Sequence, residues 1–110
     1  MTTITFIVDE NDKYQGFEAS GHAGYSRFGK DIVCAAVSAL LETHVNSVDE
    51  LTKAHSVFEA DENTGYMKFT IKDYDNSDVQ LLYKSLRLGL EGIEDSYPKN
   101  LKLTNRRCKP

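Results

Sequence analysis

Two rhythms of apolar and polar positions run through this chain. Residues 3–10 (TITFIVDE) and 14–22 (YQGFEASGH) alternate side by side around the polar Asn11, Asp12 and Lys13, which predicts two antiparallel strands joined by a short turn. Residues 56–61 (SVFEAD) and 66–72 (YMKFTIK) repeat the pattern around Glu62, Asn63, Thr64 and Gly65, a second hairpin. Between the hairpins the rhythm changes. From Asp31 to about Lys53 the apolar residues Val33, Val37, Leu40, Leu41, Val45, Val48 and Leu51 recur every three or four positions, the spacing of an amphipathic helix, with Asp31 placed to cap it. A second stripe, Val79, Leu82, Leu86, Leu90 and Ile93, predicts another helix. Ser77 or Asp78 would cap it, Gly89 and Gly92 would weaken it slightly, and Pro98 would stop it. LKLTN at 101–105 supplies a last strand. The order ββαββαβ makes an α+β, two-layer domain with both helices on one face of a mostly antiparallel or mixed sheet.

Length and composition narrow the reading. A chain of 110 residues suits one domain and therefore at most one active site. With 40% hydrophobic and 27% charged residues it should bury a real core. No apolar run approaches the roughly 20 residues of a membrane span, and the opening residues lack the basic, then greasy, pattern of a secretory leader, so a cytoplasmic protein is expected. Its two cysteines, Cys34 and Cys108, cannot build a disulfide framework, and no ligand spacing suggests a zinc site. Neither metal nor organic cofactor is expected. Charge is unevenly placed: residues 99–110 hold Lys99, Lys102, Arg106, Arg107 and Lys109 without an acid, whereas residues 1–98 hold eight bases against seventeen acids. Such an acidic body repels nucleic acid, and the basic end could touch phosphates or, as the preferred reading, be simply a solvated terminus.

One stretch invites chemistry: residues 19–40, ASGHAGYSRFGKDIVCAAVSAL. It places His22 at a strand end, then a loop over residues 23–30 containing Gly24 and Gly29, then the Asp31 cap, then Cys34 in the first helical turn. Unpaired N–H groups and the partial positive charge of a helix N-terminus favour thiolate over thiol, and the same N–H groups can hold the oxyanion that forms when a carbonyl is attacked. A loop of that length lets His22 fold back towards Cys34, the arrangement of a nucleophile and its general base. Gly21 leaves room for a substrate strand beside His22, and Ala35, Ala36 and Ala39 are expected to let the helix pack closely on the sheet. Ser38, one turn beyond Cys34, could hydrogen-bond near the site or satisfy its own helix; Asp31 could orient His22 or only cap. Tyr25, Arg27 and Phe28 could hold a peptide or staple the loop to its own domain. His44, His55 and Cys108 receive no role. Taken alone, a cysteine at a helix start is more often a small core residue than a nucleophile.

At this stretch the sequence resembles the ribosomal-processing cysteine protease family known as Prp. The shared pattern is Gly21, His22 and Ala23, a short loop, then Gly29, Asp31, Val33, Cys34, Ala35, Ala36 and Ser38. The resemblance implies one cysteine endopeptidase domain over residues 1–110, with Cys34 as nucleophile and His22 as general base and acid. It further implies Gly24, Tyr25, Arg27, Phe28 and Gly29 as parts of a lid, while Gly21, Asp31, Ala35 and Ser38, by their positions, are taken as binding or supporting residues. The implied substrate is the short N-terminal extension of large-subunit ribosomal protein twenty-seven, and the implied assembly a homodimer. Two other classes compete: a non-catalytic ribosome-associated binding module that uses the basic end, and a redox-sensing thiol protein built on Cys34.

Overall fold

The computed structural model describes residues 1–21 and 32–108. Its elements are β1 (Thr2–Val8), β2 (Tyr14–Ser20), α1 (Ile32–Leu51), β3 (Ser56–Asp61), β4 (Tyr66–Ile71), α2 (Ser77–Ser96) and β5 (Leu101–Arg107). This is the expected ββαββαβ order, a mixed sheet with both helices on one side. The strands lie in the order β3-β4-β2-β1-β5, antiparallel except for the parallel β1–β5 pair.

Period two decides what each strand buries. Ile4 and Phe6 of β1, Phe17 and Ala19 of β2, Phe69 and Ile71 of β4 and Leu101 of β5 point to the helical side and form one cluster with the helices. The register keeps them opposite one another, Phe6 facing Phe17 and Phe17 facing Phe69. The other face carries Glu18, Lys68, Thr70 and Arg106, residues that tolerate water. There Glu18 accepts from Tyr66 and pairs with Arg106. Burial opposes its charge, but these partners hold its carboxyl below the usual range, while the bond to Glu18 pushes the Tyr66 hydroxyl up to about 12.

Several details differ from the pattern-based expectation. The helical stripe of α1 is Val33, Val37, Leu41, His44 and Val48, with Leu40 and Val45 flanking it; Leu51, the last residue of the helix, is 73% exposed. In α2 Tyr83 joins Val79, Leu86 and Leu90 inside, with Leu82 and Ile93 partly covered. Its cap is neither Ser77 nor Asp78 but Asn76, whose extended backbone lets the side chain accept from the amides of Asp78 and Val79. The first turn is organised by Asp9, whose buried carboxylate accepts from Asn11 N and Lys13 N at 2.8 and 2.9 Å and from the Tyr74 hydroxyl at 2.9 Å.

The basic end is not simply a solvated terminus. β5 extends to Arg107, Arg106 pairs with Glu18, Arg107 donates to Asp12 and to the Asp9 carbonyl, and the Cys108 amide donates to Val8. Pairing with β1 recruits these residues, and the charges of Arg106 and Arg107 are engaged within the fold.

The two helical glycines have opposite consequences. A Cβ on Gly89 would sit 3.0 Å from Leu40, so this glycine lets α2 approach α1; a Cβ on Gly92 would meet nothing. Gly92→Ala should therefore stabilise the protein by about 0.5–1 kcal/mol through helix propensity, and Gly89→Ala by less or not at all. Urea denaturation of the two variants checks the order.

Candidate active site

Cys34 is the third residue of α1 and is half-buried. Its neighbours Val33 and Val37 anchor this first stretch in the core, which fixes where the sulfur sits without enclosing it. The first four amides of a helix have no partner within it, so donors from residues 32–35 collect around Cys34. A nucleophile of this kind needs access, a fixed backbone and nearby donors, and Cys34 has all three.

Ser38 follows one turn later, also half-buried and on the same side of α1 as Cys34. Ala35, Ala36 and Ala39 do not pack on the sheet as expected. They are exposed, because the stripe through Val33, Val37 and Leu41 takes the sheet-facing side of the helix and leaves them opposite it.

β2 delivers the chain to the other half of the motif. Ala19, 5% exposed, packs between Ile4 and Met67 in register, Ser20 pairs with Thr3, and Gly21 then turns with φ +64°. A Cβ at Gly21 would lie 2.7 Å from the Met1 carbonyl oxygen. Gly21 is thus required by the backbone itself, a reason separate from room for substrate. Gly21→Ala should cost about 1–2 kcal/mol from the left-handed conformation alone, plus the displacement of Met1. A thermal melt that matches the parent protein would contradict this. His22, the loop residues Gly24, Tyr25, Arg27, Phe28 and Gly29, and Asp31 lie outside the described residues, so the expected strand-end position of His22 and the Asp31 cap are not seen; β2 itself ends at Ser20.

The remaining histidines separate clearly. His55 is exposed and pairs with Asp73, whereas His44 is a core residue, 4% exposed, with its ring against Tyr83 at a centroid distance of 4.2 Å. Burial pushes the His44 imidazole down to about 4, so it stays neutral. Its place in the α1 stripe was available from the spacing Leu41, His44, Val48. Among the described residues no group of three histidine, cysteine or acidic side chains is arranged to hold a metal ion, and no helix is long and apolar enough to cross a membrane.

Comparison with known proteins places this geometry. The family model described as cysteine protease Prp matches residues 1–102. The ribosomal processing cysteine protease Prp of Staphylococcus aureus is 32% identical over 103 residues, covering 94% of this chain and 97% of its own length. The Bacillus subtilis protein of the same name is 34% identical over 92 residues, 80% of this chain and 82% of its own. Among solved structures, the S. aureus protease with a covalently linked product peptide superposes with a TM-score of 0.88 at 31% identity, over 96% of this chain and all of that one. A Streptococcus mutans protein, SMU.848, gives 0.87 at 32% identity over 98% and 96%. Fold, length and the match over most of the chain agree: this protein belongs to the Prp family of cysteine proteases.

Proposed function

We propose that this protein is a cytoplasmic endopeptidase, one catalytic domain over residues 1–110, that removes the short N-terminal extension of large-subunit ribosomal protein twenty-seven through a Cys34/His22 dyad. The observation that carries the reading is the position of Cys34: half-buried, in the first turn of a helix, where amides have no partner within the helix, in a chain that belongs to a family of cysteine proteases. The substrate is supported by the S. aureus relative, a ribosomal processing protease solved with a substrate peptide.

In the proposed reaction His22 takes the Cys34 proton and the thiolate adds to the scissile carbonyl, whose oxygen becomes negative and is held by amides of the first turn of α1. The tetrahedral species collapses, the C–N bond breaks, and His22 gives the proton to the leaving amine. Water, deprotonated by His22, then attacks the thioester and restores the thiol as the carboxylate product leaves. Residues 23–30 act as a lid that closes over the peptide, with Asp31 orienting His22 or capping α1, and Ser38 supporting the site. No cofactor takes part.

The working unit is a homodimer. Leu81 and Leu88, 65% and 71% exposed and two turns apart on the outer side of α2, are apolar surface that a second copy would cover.

A fluorogenic peptide spanning the ribosomal protein's cleavage junction, incubated with the enzyme before and after iodoacetamide treatment, tests the function. Cleavage that alkylation abolishes is expected. Cleavage that survives complete alkylation of Cys34 would exclude the dyad, and a folded enzyme that never cleaves the peptide would exclude the substrate.

A further inference from the structure

Cys34, Ser38, Leu41 and Val45 follow one another at intervals of four, three and four, so they share one side of α1, the side turned to the β3–β4 hairpin. Along it lies a cleft of about 260 Å³ lined by Leu41, Glu42, Val45 and Asn46 of α1, Phe58 of β3 and Met67 of β4. Phe58 stands opposite Phe69, a buried core residue, and therefore faces the helical side of the sheet, yet it is 50% exposed. The cause is architectural. β3 is an edge strand, and nearly all of it is uncovered by the two helices.

We infer that this cleft is a specificity pocket of the protease, which takes a bulky apolar side chain of the substrate in a segment of basic character. The inference rests on the proteolytic reading above. Leu41 and Val45 are seven and eleven residues beyond Cys34, about 10–17 Å along the helix axis. An extended peptide advances about 3.3 Å per residue, so the side chain that fills the cleft belongs about three to five residues from the scissile bond. The walls offer aliphatic, thioether and aromatic surface with Asn46 as a neutral polar group. Glu42 is the one charged group of the lining; together with the acidic excess of residues 1–98, it favours a positive charge next to the apolar anchor.

The test is a set of synthetic decapeptides around the cleavage junction, in which Phe, Leu, Ser or Glu is placed in turn at each of five positions on both sides of the scissile bond, with products read by mass spectrometry. Phe or Leu at one position three to five residues away should raise kcat/KM by about tenfold over Ser, and Glu should lower it further. Phe58→Ala, at a half-exposed site, should erase that preference while leaving a substrate with only two residues on each side within about twofold of the parent rate. Val45→Glu gives the same reading from α1 should Phe58→Ala fold poorly. A flat preference at these positions, or a preference that persists in both variants, overturns the pocket. Should the parent enzyme cleave no peptide, fluorescence anisotropy of the labelled Phe peptides decides: binding weakened by Phe58→Ala sustains the pocket and sinks the protease reading, and absence of binding sinks both.

Discussion

Cys34→Ala is expected to reduce peptide cleavage below detection while the protein remains folded. The side chain is half-buried and its loss removes a single sulfur, a change that costs about 1 kcal/mol in stability, so the missing activity cannot be assigned to unfolding. His22→Ala should lose about 10²- to 10⁴-fold, the range for removal of a general acid–base group, since neither deprotonation of the thiol nor protonation of the leaving amine is then assisted. The double variant should be no worse than Cys34→Ala, because the two residues act in one step. Circular dichroism and active-site titration beside the rate measurement separate chemistry from folding. Turnover retained by folded Cys34→Ala would remove it from the mechanism, and full turnover by His22→Ala would require another base.

The second large effect is on stability against pH and originates in the core. His44 is packed against Phe17, Phe69 and Tyr83, and its Nε2 has no hydrogen-bond partner among the described residues. Folding holds the imidazole near 4 against an ordinary 6.5, so above pH 6.5 both states carry it neutral and nothing is lost. As pH falls below 6.5 the unfolded chain accepts a proton that the folded protein refuses, and stability declines until about pH 4. The whole loss is about 3 kcal/mol for a gap of this size. The carboxylates held below their ordinary values, Asp9, Glu18 and Asp73, begin to add their own loss as pH reaches those ordinary values, 4.5 for Glu18 and 3.8 for the two aspartates, and continue to lose it below them. Urea melts at pH 7.0 and about 4.5 should therefore differ sharply in the parent protein and much less in His44→Met, a variant of similar volume. An equal pH dependence in both would show that His44 does not govern it.

Much of this architecture was legible because one-sided burial leaves its period in the chain. Ile4, Phe6, Phe17 and Phe69 mark strands by alternation, and Val33, Val37, Leu41 and Val48 mark a helix. What escaped was decided by competition that periodicity does not see. Four consecutive residues, Asp75 to Asp78, can each cap a helix, and only the one with extended backbone does so, Asn76. His44 and Tyr83 carry polar tips and stand in neither predicted apolar stripe, yet their rings fall on the inward sides of α1 and α2 and are buried. Ala35, Ala36 and Ala39 looked like packing residues because they are small, but their angular positions on α1 turn them outward. At the site, Cys34 stands out in the sequence by its position at a helix start and in a motif. The cleft was not, since it joins Val45 to Phe58 and Met67 from separate elements and exists only because an edge strand is left uncovered.

The parallel pairing of β1 with β5 also sets when this enzyme can exist. β1 is an interior strand, but the neighbour on one of its sides comes from residues 101–107, more than ninety positions later in the chain. While the polypeptide is being made, both hairpins and both helices emerge before that neighbour, and one edge of β1 stays open with its amides and carbonyls unpaired. The closing contact has the greatest sequence separation the fold offers, so it is the slowest to find and the last available. During synthesis the sheet therefore stays incomplete, and the cysteine protease fold closes only after β5 has been made.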